Sequence, residues 1–88
     1  MNFYTYIAHN SKHNKFYIGQ TDNLIRRINE HNSGMSNYTS KYDGEWKITY
    51  YETFDSRSDA MKREKFLKKQ KNKEFYTNIG KTSDADIG

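Results

Sequence analysis

Residues 3–19, FYTYIAHNSKHNKFYIG, hold two runs of aromatic and β-branched side chains, 3–8 and 15–19, parted by a polar stretch from His9 to Asn14. Such runs favour extended backbone and Asn and Ser favour turns, so the segment predicts a β-hairpin. A period of two puts Phe3, Thr5 and Ile7 on one face and Tyr4, Tyr6 and Ala8 on the other. In the second run Phe16 and Ile18 oppose Tyr17 and Gly19.

Outward from the hairpin, Glu45 to Phe54 alternates Trp46, Ile48 and Tyr50 against Lys47, Thr49 and Tyr51, which predicts a third strand with one apolar face. Thr21 or Asp22 can cap a helix over 22–32 that Gly34 ends. Leu24, Ile25 and Ile28 define its apolar face, Arg26 and Glu30 form an exposed pair opposite, and Arg27 and His31 fall at the margin. Ser33 to Gly44 lacks any period and reads as a loop long enough to suspect function. Asp55 or Ser56 caps a second helix over 56–69, and a short third helix over 72–78 returns Phe75 and Ile79 to the core before Gly80 ends it. The expected fold is α+β: a three-stranded antiparallel sheet, strands near 3–8, 15–19 and 46–53, flanked by helices. Residues 1–80 form a single domain and 81–88 a frayed tail.

With 88 residues the chain supports one core, and its eight Tyr, five Phe and one Trp must supply much of the buried area. The absence of Cys excludes disulfides and thiolate zinc, and His9, His13 and His31 lack zinc spacing, so any metal has oxygen ligands. No apolar run nears the roughly 20 residues that span a bilayer, and no signal peptide is evident, so the expectation is a cytoplasmic protein without a membrane partner. The net charge is +4, and Lys62, Arg63, Lys65, Lys68, Lys69, Lys71 and Lys73 concentrate it in one segment, as suits a polyanion. A solvated helix face explains the same run.

Glu64 is the most telling position. Its helical projection places it between Ala60 and Leu67 on the apolar face, where a carboxylate is costly unless paired or bound to metal. A tyrosine pair on a hairpin, an Arg and a His one turn apart, and this glutamate together suit phosphodiester hydrolysis. An arginine offsets charge on phosphoryl oxygens, a carboxylate holds a divalent ion, and a base activates water.

Thr5-Tyr6-Ile7 followed by Tyr17-Ile18-Gly19, the continuation Gln20-Thr21-Asp22-Asn23-Leu24 to Arg27 and His31, and Lys62-Arg63-Glu64-Lys65 resemble the motifs of the GIY-YIG nucleases. The resemblance runs from residue 3 to about 70 and is closest to the short stand-alone members; Tyr6 is matched by register, since the first motif reads Thr-Tyr-Ile. It implies the same fold and a DNA endonuclease in which Glu64 holds Mg²⁺ or Mn²⁺, Tyr6 and Tyr17 position water, and Arg27 stabilises the developing charge. It also implies an asparagine near the site, for which Asn72 and Asn78 compete and Asn78 is preferred. A phenol ordinarily ionises near pH ~10, so Tyr17 as general base requires help from the metal, from Arg27, or from a relay through Tyr6 or His31.

Each residue has a plainer reading: strand packing for Tyr17, a surface ion pair for Arg27, a helix-end contact for His31, an ion pair with Arg27 or a lysine for Glu64. The alternative function is a nucleic-acid-binding module of the same fold with little or no activity. The expected partner is DNA, branched and single-stranded forms both open, contacted by the Lys62–Lys73 cluster with Arg26 and the 33–44 loop as secondary contacts.

Overall fold

The structure is a computed structural model that describes residues 2–87, with side chains described for 2–81. Its elements are β1 (Phe3–Asn10), β2 (Lys15–Thr21), α1 (Leu24–Asn32), a 3-10 turn (Thr39–Lys41), β3 (Trp46–Phe54), α2 (Arg57–Gln70) and α3 (Lys73–Ile87). The three strands form one antiparallel sheet in the order β2-β1-β3, so the fold class is as expected and the first strand lies in the middle. Each strand runs one or two residues past its expected end.

The period-two reading holds for β1 and β2; in β3 a bulge, where the pairing steps from Ile7–Tyr50 to Ala8–Ile48, breaks the expected face, so Trp46 and Ile48 point one way and Tyr50 the other. Ile7 and Ile18 pack with Leu67 of α2 and Tyr76 of α3, flanked by Phe16, Tyr50, Phe75 and Ile79. Tyr6 and Ala8 pack with Trp46 on the opposite face, flanked by Tyr17, Leu24, Ile28, Tyr42 and Ile48. Helices therefore cover both faces, and the face that carries Tyr6 and Tyr17 belongs to α1 and the loop after it.

Local chemistry fixes the helix ends. Asn23, rather than Thr21 or Asp22, caps α1: its side chain accepts from the Arg26 N–H at 3.0 Å. Thr21 instead bonds the Asn23 backbone. Gly34 ends the helix as expected, with φ +80°, the Gly34 N–H on the His31 carbonyl and the Met35 N–H on that of Glu30. Asn32 then bonds both backbone groups of Trp46, which fastens α1 to β3. Ile25 departs from its expected place, being 76% exposed, because Leu24 and Ile28 suffice to cover the sheet. Ser56 caps α2 through the Asp59 N–H.

Gly80 does not end α3, which continues to Ile87. Its missing side chain serves packing instead: a Cβ there would lie 3.2 Å from the Thr49 carbonyl of β3, so glycine lets the helix approach the strand. The expected tail, 81–88, thus has helical backbone through Ile87, and its side chains beyond Lys81, with all of Gly88, lie outside the described residues. Tyr76 ties α3 to α2, donating to the Leu67 carbonyl at 2.8 Å and accepting from the Lys71 N–H at the left-handed helix end. Among the described residues no helix is long and apolar enough to cross a membrane.

Candidate active site

The hairpin register sets the site. Tyr6 of β1 stands opposite Gly19 of β2, and a Cβ on Gly19 would fall 2.8 Å from the Tyr6 hydroxyl and 2.9 Å from the Tyr17 ring. Only glycine leaves the two tyrosine rings this space. Over them lies α1, whose i,i+4 spacing brings both Arg27 and His31 to the Tyr6 hydroxyl.

Arg27 Nε donates to that hydroxyl at 3.2 Å, and Tyr6 Oη lies 2.7 Å from His31 Nε2. A guanidinium can only donate, so the phenol proton is directed to His31 Nε2, which leaves His31 Nδ1–H to donate to Thr39 Oγ1 at 2.9 Å. The result is a directed chain from Arg27 through Tyr6 and His31 to Thr39, all but Arg27 fully buried. Tyr17 is half-buried beside it, its ring edge-on to His31 at 4.7 Å and tilted against Tyr38 at 5.8 Å. Arg27 also holds Glu30 through Nη1 at 3.0 Å.

Burial pushes the Tyr6 phenol well above its ordinary value; Arg27 opposes this, and the charges of Tyr17 and Glu64 add to it. Tyr6 therefore keeps its proton. Burial also acts to lower Arg27, but Glu30 and the two tyrosine hydroxyls outweigh it, so the guanidinium is held charged more firmly than usual. His31 is pushed down to about 4, first by burial and then by the Arg27 charge, with Glu30 opposing. It is a neutral imidazole at physiological pH.

This has a consequence for acid stability. The unfolded chain takes up a proton at His31 near pH 6.5 while the folded chain resists until about pH 4, so stability falls as pH drops through that window. Thermal melts of wild type should lose more between about pH 7 and 4.5 than melts of His31→Gln, which has no such proton to gain. Parallel profiles would exclude His31 as the cause. Asp43, held down to about 2 by Lys12 and His13, acts only at still lower pH.

Glu64 and Lys68 of α2 form an ion pair at 2.6 Å; the glutamate side chain is 19% exposed and the lysine 52%. Glu64 thus lies at the margin of the buried face rather than at its centre, between fully buried Ala60 and Leu67, with a lysine partner and not Arg27. α2 packs on the Ile7 face, and the Glu64 charge is the smallest of the influences that act on the Tyr6 phenol. No group of three or more His, Cys, Asp or Glu that could hold an ion occurs among the described residues. A single carboxylate still fits a hard cation such as Mg²⁺, which keeps several waters and binds through one or two carboxylates and substrate phosphates.

The basic cluster divides. Lys62, Lys65, Lys69, Lys71 and Lys73 are exposed. Arg63 is engaged by Glu52 at 2.9 Å and lies over the Phe66 ring, while Arg26 holds Asp22 at 2.6 Å. Of the two asparagines, Asn72 caps α3 through the Phe75 N–H. Asn78 is exposed on α3, which packs on the face opposite Tyr6 and Tyr17. Thr39 and Glu30 join the site unforeseen: the loop carried no period to single out Thr39, and Glu30 had an equally good partner in Arg26.

With this geometry in place, comparison gives the class. The family model described as the GIY-YIG catalytic domain matches residues 2–78, and the chain belongs to that family. It is similar to UPF0213 proteins: one of Listeria monocytogenes is 40% identical over 65 residues, 72% of this chain and 73% of that protein. One of Clostridium perfringens is 36% identical over 66 residues, 75% of this chain and 70% of that one. The solution NMR structure of a UPF0213 protein from Bacillus halodurans has the same fold, with a TM-score of 0.53 and 26% identity, covering 90% of this chain and 83% of that one.

Proposed function

We propose that the protein is a metal-dependent DNA endonuclease that hydrolyses phosphodiester bonds with water as nucleophile. The observation that carries this reading is the directed chain from Arg27 through Tyr6 to His31, with Tyr17 beside it and the Glu64 carboxylate within electrostatic reach.

Each residue has a distinct task. Arg27 faces the scissile phosphate and offsets the charge that develops on its oxygens, held in place by Tyr6 and Glu30. Tyr6, accepting from Arg27 and donating to His31, keeps its proton and orients the guanidinium. Neutral His31 fixes Tyr6 from behind, itself fixed by Thr39. Tyr17, half-buried at the edge of this network, is the hydroxyl that orients the attacking water; it takes the water's proton only as a phenolate, after giving its own proton to solvent. Glu64 would hold Mg²⁺ or Mn²⁺, which supplies positive charge at the phosphoryl oxygens when bound. Asn78, on the far face, has the weakest claim to a part. The exposed lysines of α2 and the start of α3 supply contacts to DNA phosphates.

The test is incubation of the purified protein with supercoiled, branched and single-stranded DNA, with Mg²⁺, with Mn²⁺ and with EDTA. Metal-dependent nicking is the expected result. Salt-sensitive binding without nicking in any metal would establish the inactive binding module instead.

A further inference from the structure

We infer that Lys68 is a built-in competitor for the cation at Glu64, displaced when DNA binds, so that metal and DNA bind this protein cooperatively. The inference rests on the reading of Glu64 as the residue that holds the ion.

Lys68 Nζ lies 2.6 Å from Glu64 Oε2, one helical turn further along α2. The carboxylate is mostly covered and the lysine half exposed, so the ammonium occupies the carboxylate's solvent side. An ion or a phosphate would arrive from that side. A divalent cation and an ammonium on one carboxylate repel each other at short range, so each weakens the other's hold on it. Helical spacing singles out Lys68 for this role: at i+4 it shares the face of Glu64, whereas Lys65 at i+1 is turned about 100° away.

An ion pair with one half-exposed partner is weak enough to exchange. A DNA phosphate offers Lys68 an alternative anion, and the carboxylate it vacates becomes free for the ion. By linkage, whatever DNA does for the metal the metal does for DNA. The free protein is thereby kept poor in metal, and the ion is taken up where a phosphate is present to share it.

The experiment follows Mn²⁺ binding by paramagnetic broadening of backbone amides around Glu64 in ¹⁵N-labelled wild type, Lys68→Gln and Lys65→Gln. The two variants lose the same charge from the same helix. Lys68→Gln should bind Mn²⁺ about three- to tenfold more tightly than wild type, and Lys65→Gln should differ from wild type by less than about twofold. A short duplex with a non-hydrolysable backbone, at matched free Mn²⁺, should tighten Mn²⁺ binding in both proteins through the shared phosphate, but by about three- to tenfold more in wild type than in Lys68→Gln, where no ammonium has to be displaced. Equal affinity in wild type and Lys68→Gln, with broadening centred on Glu64, overturns the competition and leaves the metal site standing. Equal tightening in both variants also overturns it, since net charge alone would then be responsible. Broadening absent from the neighbourhood of Glu64 in all three proteins removes the metal site itself.

Discussion

Glu64→Gln should reduce Mg²⁺-dependent DNA cleavage by about a hundredfold or more, because the amide keeps the shape of the side chain but gives up the anion that would hold the ion. Folding should survive. The partner that loses its charge complement is Lys68, whose side chain is 52% exposed and can turn into water, so no buried cation is stranded. The melting temperature should change little, and DNA binding in EDTA should hold or improve as a negative charge and a restraint on Lys68 disappear. A variant that still cuts DNA at near wild-type rate would end the assignment of Glu64 to the metal. A steep fall in melting temperature would show that the Glu64–Lys68 pair is chiefly structural.

Arg27→Lys should also lower cleavage by about a hundredfold, although the charge is kept. Arg27 makes two directed contacts, Nε to the Tyr6 hydroxyl and Nη1 to Glu30, and the planar fork fixes the rest of the group relative to both. An ammonium is a single point donor that can meet one of these partners but cannot be oriented by both. The Tyr6 hydroxyl would lose its charged donor while remaining buried, so a modest drop in stability accompanies the kinetic loss. DNA affinity, carried by exposed lysines, should be nearly unchanged. Near-normal cleavage by the lysine variant would make Arg27 a structural partner of Glu30 and no more.

Much of the architecture was legible because it rests on local rules. The alternation in 3–8 and 15–19 sorted each strand's faces, the hairpin register then brought Tyr6 and Tyr17 to the same one, and Gly34 stops α1 where its conformational freedom predicted. Apart from the α1 cap, where Asn23 takes the place expected of Thr21 or Asp22, what failed depended on partners distant in the chain. Ile25 looks apolar on a helical wheel, yet only the sheet decides how wide a stripe α1 must bury. Gly80 looks like a helix end, but its glycine answers to the Thr49 carbonyl of β3. The site divides in the same way. Arg27 and His31 were linked by helical spacing and Glu64 by its place beside Ala60 and Leu67, whereas Thr39 was invisible until a 3-10 turn brought it to His31. Lys68 stood in the basic run like its neighbours, and only its contact with Glu64 sets it apart.

The strand order β2-β1-β3 bears on how the protein comes into being. As the chain is synthesised, β1 finds β2 within a few residues, but its other edge waits for Trp46–Phe54, with Phe3 opposite Phe54 in the final register. Such long-range pairing is slow, and an unpaired aromatic edge is open to association until it is made. Tyr6, Tyr17, Arg27 and His31 all emerge before that closure, while Glu64 follows it on α2. On the proposed reading, a nascent or truncated chain that lacks α2 carries the tyrosines and arginine without the carboxylate, so an unfinished molecule would lack the means to cut the cell's own DNA.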